Sequence, residues 1–302
     1  MKYLVTGGCG FIGSHLVDAL VARGERVVVL DNLSTGRLEN LNPRAEFIKG
    51  DILSVKDVEN ATSGIDCCFH LAAIASVELA NKYWLQTHTV NLTGTIRILE
   101  QSAASNKFPV VYASSAAVYG NPQTVPLGED SALCPLNAYG ADKLGCELHA
   151  NVAWGVHGVP VMGLRFFNVY GRRQDPNSPY SGVISIFTKL AMEGKALNIF
   201  GDGEQTRDFV YVDDVVNALV KSMDSNVAES KIYNVCTGKK TSLLELARVI
   251  GEVLGADLEL RHLPARVGDI KDSIGNPKLI EKELGVKCEV NLKEGLKKLL
   301  MQ

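Results

Sequence analysis

Tyr139 and Lys143 stand four residues apart in the stretch YGADK, a spacing that on a helix places a phenol and an ammonium on one face. A cation held beside a phenol stabilises phenolate and draws its pKa down from ~10 toward neutrality. That is what a tyrosine needs to act as a general base toward an alcohol. A YxxxK pair alone is weak, because an exposed Tyr/Lys pair arises often by chance. It gains weight from Ser114 and Ser115, which close a β-type run beginning at Val110. A serine at the carboxyl end of such a strand borders the crevice where a doubly wound sheet binds its ligands. Its hydroxyl can donate to the same oxygen that the phenol deprotonates. Ser115, Tyr139 and Lys143 are therefore the candidate catalytic group.

A second constellation lies near the start of the chain. The stretch TGGCGFIG satisfies two glycine spacings, G-x-G-x-x-G at Gly8, Gly10 and Gly13, and G-x-x-G-x-x-G at Gly7, Gly10 and Gly13. It follows a predicted strand and opens a predicted helix. Glycine there permits a tight turn and lets backbone N–H groups approach a pyrophosphate, with the helix N-terminus contributing positive charge. Asp31 falls 18 residues after Gly13, at the end of the second predicted strand. A carboxylate in that place accepts hydrogen bonds from a ribose diol and repels a 2′-phosphate, which favours NAD over NADP. Arg37, close by, leaves room for NADP.

These residues need a scaffold that brings strand ends and helix starts together. Short aliphatic runs bounded by turn formers predict strands at Tyr3–Thr6, Arg26–Asp31, Glu46–Lys49, Cys67–Leu71, Val110–Ser114 and Val161–Phe166. Helical stretches between them are clearest at Phe11–Arg23, Leu85–Ser105 and Tyr139–Val156, the last with Leu144, Leu148 and Val152 on one face. The alternation predicts an α/β fold, a doubly wound parallel Rossmann-type sheet covered on both sides. Beyond Gly171 the rhythm loosens, with the polar segment RRQDPNSPY over 172–180 read as loop. Helices are expected at Val183–Met192, Asp213–Ser222, Ser242–Leu254, Pro277–Glu283 and Leu292–Met301, and short strands at Leu197–Phe200 and Phe209–Val212. The expected division is a dinucleotide-binding domain over 1–167, with later segments near 208–235 packing back on it, and a smaller mixed α/β substrate-binding lobe over 168–302.

Composition narrows the function classes. The chain has 302 residues, is 46% hydrophobic and carries a net charge of −3, as an ordinary globular protein does. A near-neutral balance provides no electrostatic footprint for nucleic acid. No apolar run approaches the ~20 residues of a membrane span, and the opening MKYLVT runs into glycines without a tripartite leader. A cytoplasmic location is expected. Cys9, Cys67, Cys68, Cys134, Cys146, Cys236 and Cys288 form no CxxC pair and are read as free thiols; the six histidines lack metal-ligand spacing. No metal site is expected.

Together with HLAA at 70–73, NLTGT at 91–95, SSAAVYG at 114–120, RFFNVYG at 165–171, GDGEQTRDF at 201–209 and RVGD at 266–269, these motifs span nearly the whole chain. The sequence resembles the extended short-chain dehydrogenase/reductases, in particular the UDP-sugar 4-epimerase branch. The resemblance implies tightly held NAD, with contacts at Gly7, Gly10, Phe11, Ile12, Gly13, Asp31, Asn32, Asp51, Ile52, Leu71, Ala72, Ala73, Asn91, Tyr139 and Lys143. It implies a UDP-sugar substrate, bound by Ser115, Asn168, Arg207, Arg266, Asp269 and Ser273, with Leu197–Phe200 passing the uracil. It also implies a homodimer paired through the helices Leu85–Ser105 and Tyr139–Val156.

Within that superfamily the residues after the catalytic serine discriminate. Dehydratases and decarboxylases carry carboxylates there for a second proton transfer, whereas this chain has Ala116 and Ala117. The resemblance therefore implies C4 epimerisation through a transient 4-keto sugar, ahead of a reductase, a dehydratase, a uronic-acid epimerase or an idle NAD-binding sensor. Ser273 matches a gate beside the 2-substituent of the hexose, where a small residue leaves space for an N-acetyl group. With the 172–180 segment, it points to UDP-GlcNAc/UDP-GalNAc, with UDP-Glc/UDP-Gal also accepted. Two departures from the galactose-type pattern are Ala75 in place of a cofactor-side lysine and Asn276 in place of Asp.

Overall fold

The computed structural model describes residues 1–175, 182–225, 229–265 and 270–301. Six strands alternate with helices from the start of the chain: β1 (Lys2–Thr6), β2 (Arg26–Asp31), β3 (Glu46–Lys49), β4 (Cys67–His70), β5 (Val110–Ser115) and β6 (Val161–Phe166). They lie in one sheet in the order Lys231–Val235, β6, β5, β4, β1, β2, β3, and every neighbouring pair is parallel. Runs such as VVVL in β2 suit a strand buried on both faces, because alternate side chains serve different layers. Tyr3 and Val5 join one core with Val27, Val29 and Phe69, while Leu4 joins the opposite core with Val28, Leu30 and Cys68. The sheet reverses its order between β1 and β4, which opens a crevice at the carboxyl ends of those two strands.

Chain order alone does not show how the sheet is completed. After several small ribbons and helices, the chain returns at Lys231–Val235 to pair with β6, in register from Met162 to Phe166. That segment, KIYNV, is half polar, yet Tyr233 and Asn234 are both buried. Asn234 is satisfied: its N–H donates to Glu129 Oε1 at 2.8 Å, its Nδ2 donates to Leu127 O at 2.9 Å, and its Oδ1 accepts from the Tyr119 hydroxyl at 2.7 Å. Beyond β6 the chain also forms small ribbons. Asn168–Tyr170 pairs with Phe209–Tyr211, Thr206–Arg207 lies between Thr241–Ser242 and Asp272–Ser273, and Leu197–Phe200 pairs with Leu260–Leu263.

Two helices depart from their sequence pattern. The stretch expected as one helix over Leu85–Ser105 runs as an α-helical turn at Trp84–His88, a π-turn at Thr89–Thr93 and an α-helix at Gly94–Ala104. A π-turn inserts one extra residue per turn and re-aims the side chains within it, here including Asn91. On the helix Ala138–His157 the apolar stripe at Leu148 and Val152 faces outward, 59% and 49% exposed. The inward face carries Lys143, Cys146, Glu147, Ala150 and Ala153, small or polar residues that let the helix sit close on β5 and β6. All seven cysteines are free, five of them buried, with Cys134 exposed. No described helix is long and apolar enough to cross a membrane.

Candidate active site

A cavity of about 1330 Å³ opens at the switch point, lined at one end by the glycine loop and at the other by Ser115, Tyr139, Lys143 and Asn168. The loop decides between the two glycine spacings. Gly7, Gly10 and Gly13 line the cavity, while Gly8 packs against Val29. Gly7 is left-handed at φ +71, and a Cβ there would meet the Ala72 backbone at 2.9 Å. A Cβ on Gly13 would come within 2.2 Å of the Gly7 carbonyl, so the helix Phe11–Ala22 could not begin so close beneath the loop. This bare helix start, with Gly10 as its N-cap and no side-chain cap, has the geometry that suits a pyrophosphate.

Asp31 ends β2 on the cavity wall and is 8% exposed. Its Oδ2 accepts from Cys9 N at 2.9 Å and its Oδ1 from Leu33 N at 2.8 Å, which fixes the carboxylate and leaves lone pairs for a ribose diol. Arg37 is engaged elsewhere: Nη2 donates to Asp175 at 2.6 Å and Nη1 to Glu39 at 3.3 Å. A guanidinium already paired with two carboxylates is poorly placed to select a 2′-phosphate. Phe11, Ile12, Asn32, Asp51, Ile52, Leu71, Ala72 and Ala73 also line this end, and Asn32 Nδ2 donates to Asp51 Oδ2 at 3.1 Å.

Asn91 is placed differently. It does not line the cavity; its Oδ1 accepts from Ile74 N at 2.8 Å and its Nδ2 donates to Ile74 O at 3.1 Å. The π-turn thus uses Asn91 to hold the 71–75 loop against the cavity. A chain of bonds missed by sequence reasoning does the same from below. Thr95 Oγ1 donates to Asn91 O at 2.6 Å, so it accepts from His70 Nε2 at 3.1 Å, and His70 Nδ1 accepts from Thr6 Oγ1 at 2.8 Å. Thr6 Oγ1 then accepts from the amides of Leu71 and Ala72, both at 3.2 Å. That direction requires neutral His70, and burial, with a smaller push from the Lys143 charge, lowers its pKa to about 3. The HLAA motif marked this place in the sequence, but nothing in it indicated that the histidine ties three elements together.

At the other end, Tyr139 and Lys143 share the first turns of the helix Ala138–His157, whose start Asn137 caps by accepting from Gly140 N at 2.8 Å. Lys143 is 5% exposed; its Nζ lies 5.8 Å from the Tyr139 ring centroid and donates to Ala113 O at 2.8 Å. Ser115 ends β5 and its Oγ accepts from Ala117 N at 3.1 Å. Ala116 and Ala117 follow in a short 3-10 turn and present no ionisable group. All three candidate catalytic residues line one cavity with the glycine loop.

The substrate-side residues are only partly gathered there. Asn168 lines the cavity, whereas Arg207 and Ser273 lie beyond its described wall, opposite each other in paired strands. Asp208, between them, donates its N–H to Ser273 O and accepts from Asn168 N at its carbonyl, both at 3.0 Å. Its buried carboxylate accepts from Thr237 N and Oγ1, Gly238 N and Gly275 N. Arg266 and Asp269 lie outside the described residues, as does most of the 172–180 segment. Among the described residues no three His, Cys, Asp or Glu side chains converge as a metal ion would need.

Residues 3–236 match the model of the NAD dependent epimerase/dehydratase family. The chain belongs to this family. NAD is its cofactor, and the glycine cradle with Asp31 fits that dinucleotide. The UDP-glucose 4-epimerase of Mycolicibacterium smegmatis is 38% identical over 306 residues, covering 99% of this chain and 97% of that protein. Among solved structures, the UDP-glucose 4-epimerase of Thermotoga maritima with UDP-glucose is 37% identical at a TM-score of 0.96, covering 100% of this chain and 98% of that one. The UDP-N-acetylglucosamine 4-epimerase of Methanobrevibacter ruminantium M1, in complex with UDP-N-acetylmuramic acid, is 36% identical at 0.95, covering 99% and 97%.

Proposed function

We propose that this protein is a UDP-sugar 4-epimerase, an isomerase that interconverts UDP-GlcNAc and UDP-GalNAc and also accepts UDP-Glc and UDP-Gal. One observation carries the reading: Tyr139, Lys143 and Ser115 face the same cavity as the dinucleotide cradle, and Ala116 and Ala117 offer no second acid or base. Bound NAD supplies reversible two-electron oxidation of the sugar carbinol. Tyr139 takes the proton of the C4 hydroxyl as the base, and Ser115 donates to the same oxygen. Lys143 is buried beside the ring, its Nζ 5.8 Å from the Tyr139 centroid, and closes this side of the site. The 4-keto sugar then turns to present its other face, and Tyr139 returns the proton. Net redox change is zero, so NAD can stay bound through many turnovers.

Retention of the substrate during that turn requires binding energy placed away from the reacting carbon. Arg207, Arg266, Asp269 and Asn168 are assigned to the UDP portion, Ser273 to the hexose gate. Lys143 is the one cation among the described residues lining the cavity, which supports a neutral hexose over a uronic acid. The lobes divide as 1–167 for NAD and mainly 168–302 for the UDP-sugar. The protein is assigned to the cytoplasm, as a homodimer.

The test is to incubate purified protein with UDP-GlcNAc and with UDP-Glc and to resolve the C4 epimers by NMR. Wild-type protein should form both GalNAc and Gal products without added NAD. Tyr139→Phe should lower kcat by roughly 10²–10⁴-fold, the usual range for a lost general base. Ordinary turnover in that variant would remove the base assignment, and a dehydrated or reduced product would remove the epimerase.

A further inference from the structure

The inward face of the helix Ala138–His157 carries a third polar residue in step with the candidate catalytic pair. Tyr139, Lys143 and Glu147 recur every four residues and so lie along one side. That side meets the end of β5 residue by residue. Lys143 Nζ donates to Ala113 O at 2.8 Å, and Ser114 Oγ donates to Glu147 Oε1 at 2.5 Å. Ser115 is next in the strand. Glu147 is itself locked by a two-pronged contact: Arg165 Nε donates to Oε1 at 2.9 Å and Nη2 to Oε2 at 2.7 Å. Arg165 stands opposite Ser114 in the register of β5 and β6. Its remaining Nη1 donates to the Tyr119 hydroxyl at 2.8 Å and to Glu129 O at 3.1 Å. Ser114, Glu147 and Arg165 are 1%, 6% and 3% exposed.

An ion pair this deep is a poor source of stability, because desolvating both charges offsets most of their attraction. What a bidentate pair supplies is direction, since the planar guanidinium fixes the carboxylate in one orientation. The fixed carboxylate has one further partner, Ser114. We propose that Glu147 is a positioning residue: held by Arg165, it binds Ser114 to the helix that bears Tyr139 and so sets the spacing between Ser115 and Tyr139. This rests on the catalytic roles given above to Ser115 and Tyr139. Misplacement by about an ångström costs as much as ~10²-fold in rate, so a loosened strand end should slow the chemical step while leaving UDP and NAD contacts intact.

Ser114→Ala removes the clamp and leaves the Arg165–Glu147 pair in place, so the fold is not put at risk. The expected result is a kcat roughly tenfold lower, with KM for the UDP-sugar and the bound NAD content both within about twofold of wild type. A wild-type kcat overturns the proposal, and so does a joint loss of kcat, KM and NAD, which would mark a merely structural serine. If the wild-type protein turns over no UDP-hexose, the proposed function fails instead. Crystal structures of wild type and Ser114→Ala then decide the clamp without turnover. A change in the Ser115 Oγ to Tyr139 Oη separation above about 0.5 Å supports it, that being the tolerance of a catalytic constellation, and a smaller one overturns it.

Discussion

Single residues here are set by their surroundings more than by their type. His70 is the sharpest case, neutral because it is buried and because Lys143 is nearby, with a pKa lowered to about 3. In the unfolded chain the same ring titrates near ~6.5. Below that pH the unfolded state binds a proton that the native state does not, so stability falls as pH drops and levels off only below about 3. Chemical unfolding at pH 7.5 and pH 5 should therefore show the stability gap between wild type and His70→Gln narrowing by about 2 kcal/mol. A gap independent of pH would mean that the ring ionises in the folded protein. Ser273 makes a different kind of prediction. It stands opposite Arg207 in the paired strands, and Ser273→Tyr should depress turnover of UDP-GlcNAc several-fold more than that of UDP-Glc. Equal loss on both substrates would remove the gate. Charged residues were the hardest to read in advance: nothing in the sequence pairs Glu147 with Arg165, and only the packing of the helix Ala138–His157 on β5 and β6 brings the two together.

Elements were legible where one physical signal dominated. β2, β3 and β6 have the predicted bounds because each is a run of strand formers closed by turn residues. The glycine loop was legible as a motif but not in its detail, since the sequence fits two spacings and the packing of Gly8 against Val29 selects one. The helix Phe11–Ala22 depends on that choice, and Gly13→Ala should break it. The new Cβ would collide with the Gly7 carbonyl, so the protein should purify with NAD affinity reduced roughly tenfold or more, the order expected of a backbone shift of 1–3 kcal/mol. Full NAD content in that variant, measured after denaturation, would show that the helix start does not hold the cofactor. The π-turn at Thr89–Thr93 was hidden for the opposite reason. Its residues, TVNLT, include neither Gly nor Pro to mark a break, and the grip of Asn91 on Ile74 within the turn is a contact no periodicity encodes.

For the whole molecule the informative feature is an exposed apolar stripe. Leu148, Val152 and Val156 are 59%, 49% and 72% exposed along one helix; Trp84 and Leu85, exposed on the turn packed beside it, also line the cavity. A patch of this kind on a folded chain marks a docking face. Four-residue spacing identified the stripe, yet spacing cannot say whether a face turns toward its own core or toward another molecule. We propose this face as the interface of the homodimer assigned above: Leu148→Glu with Val152→Glu should convert a dimer to a monomer in sedimentation, with the circular dichroism spectrum unchanged. A wild-type protein that sediments as a monomer at tens of micromolar would reject the assignment.

The return of Lys231–Val235 to the edge of β6 has a consequence for how such an enzyme can be rebuilt. The sheet is therefore built from segments on both sides of the ribbons that follow β6. A recombinant exchange that cuts once, after residue 167, would replace the last strand of the parallel sheet with the donor's, and Tyr119 would meet whatever residue the donor carries in place of its Asn234 acceptor. A graft that keeps the host's own closing strand needs crossover points on both sides of 231–235, so that only the host loops are replaced by the donor's.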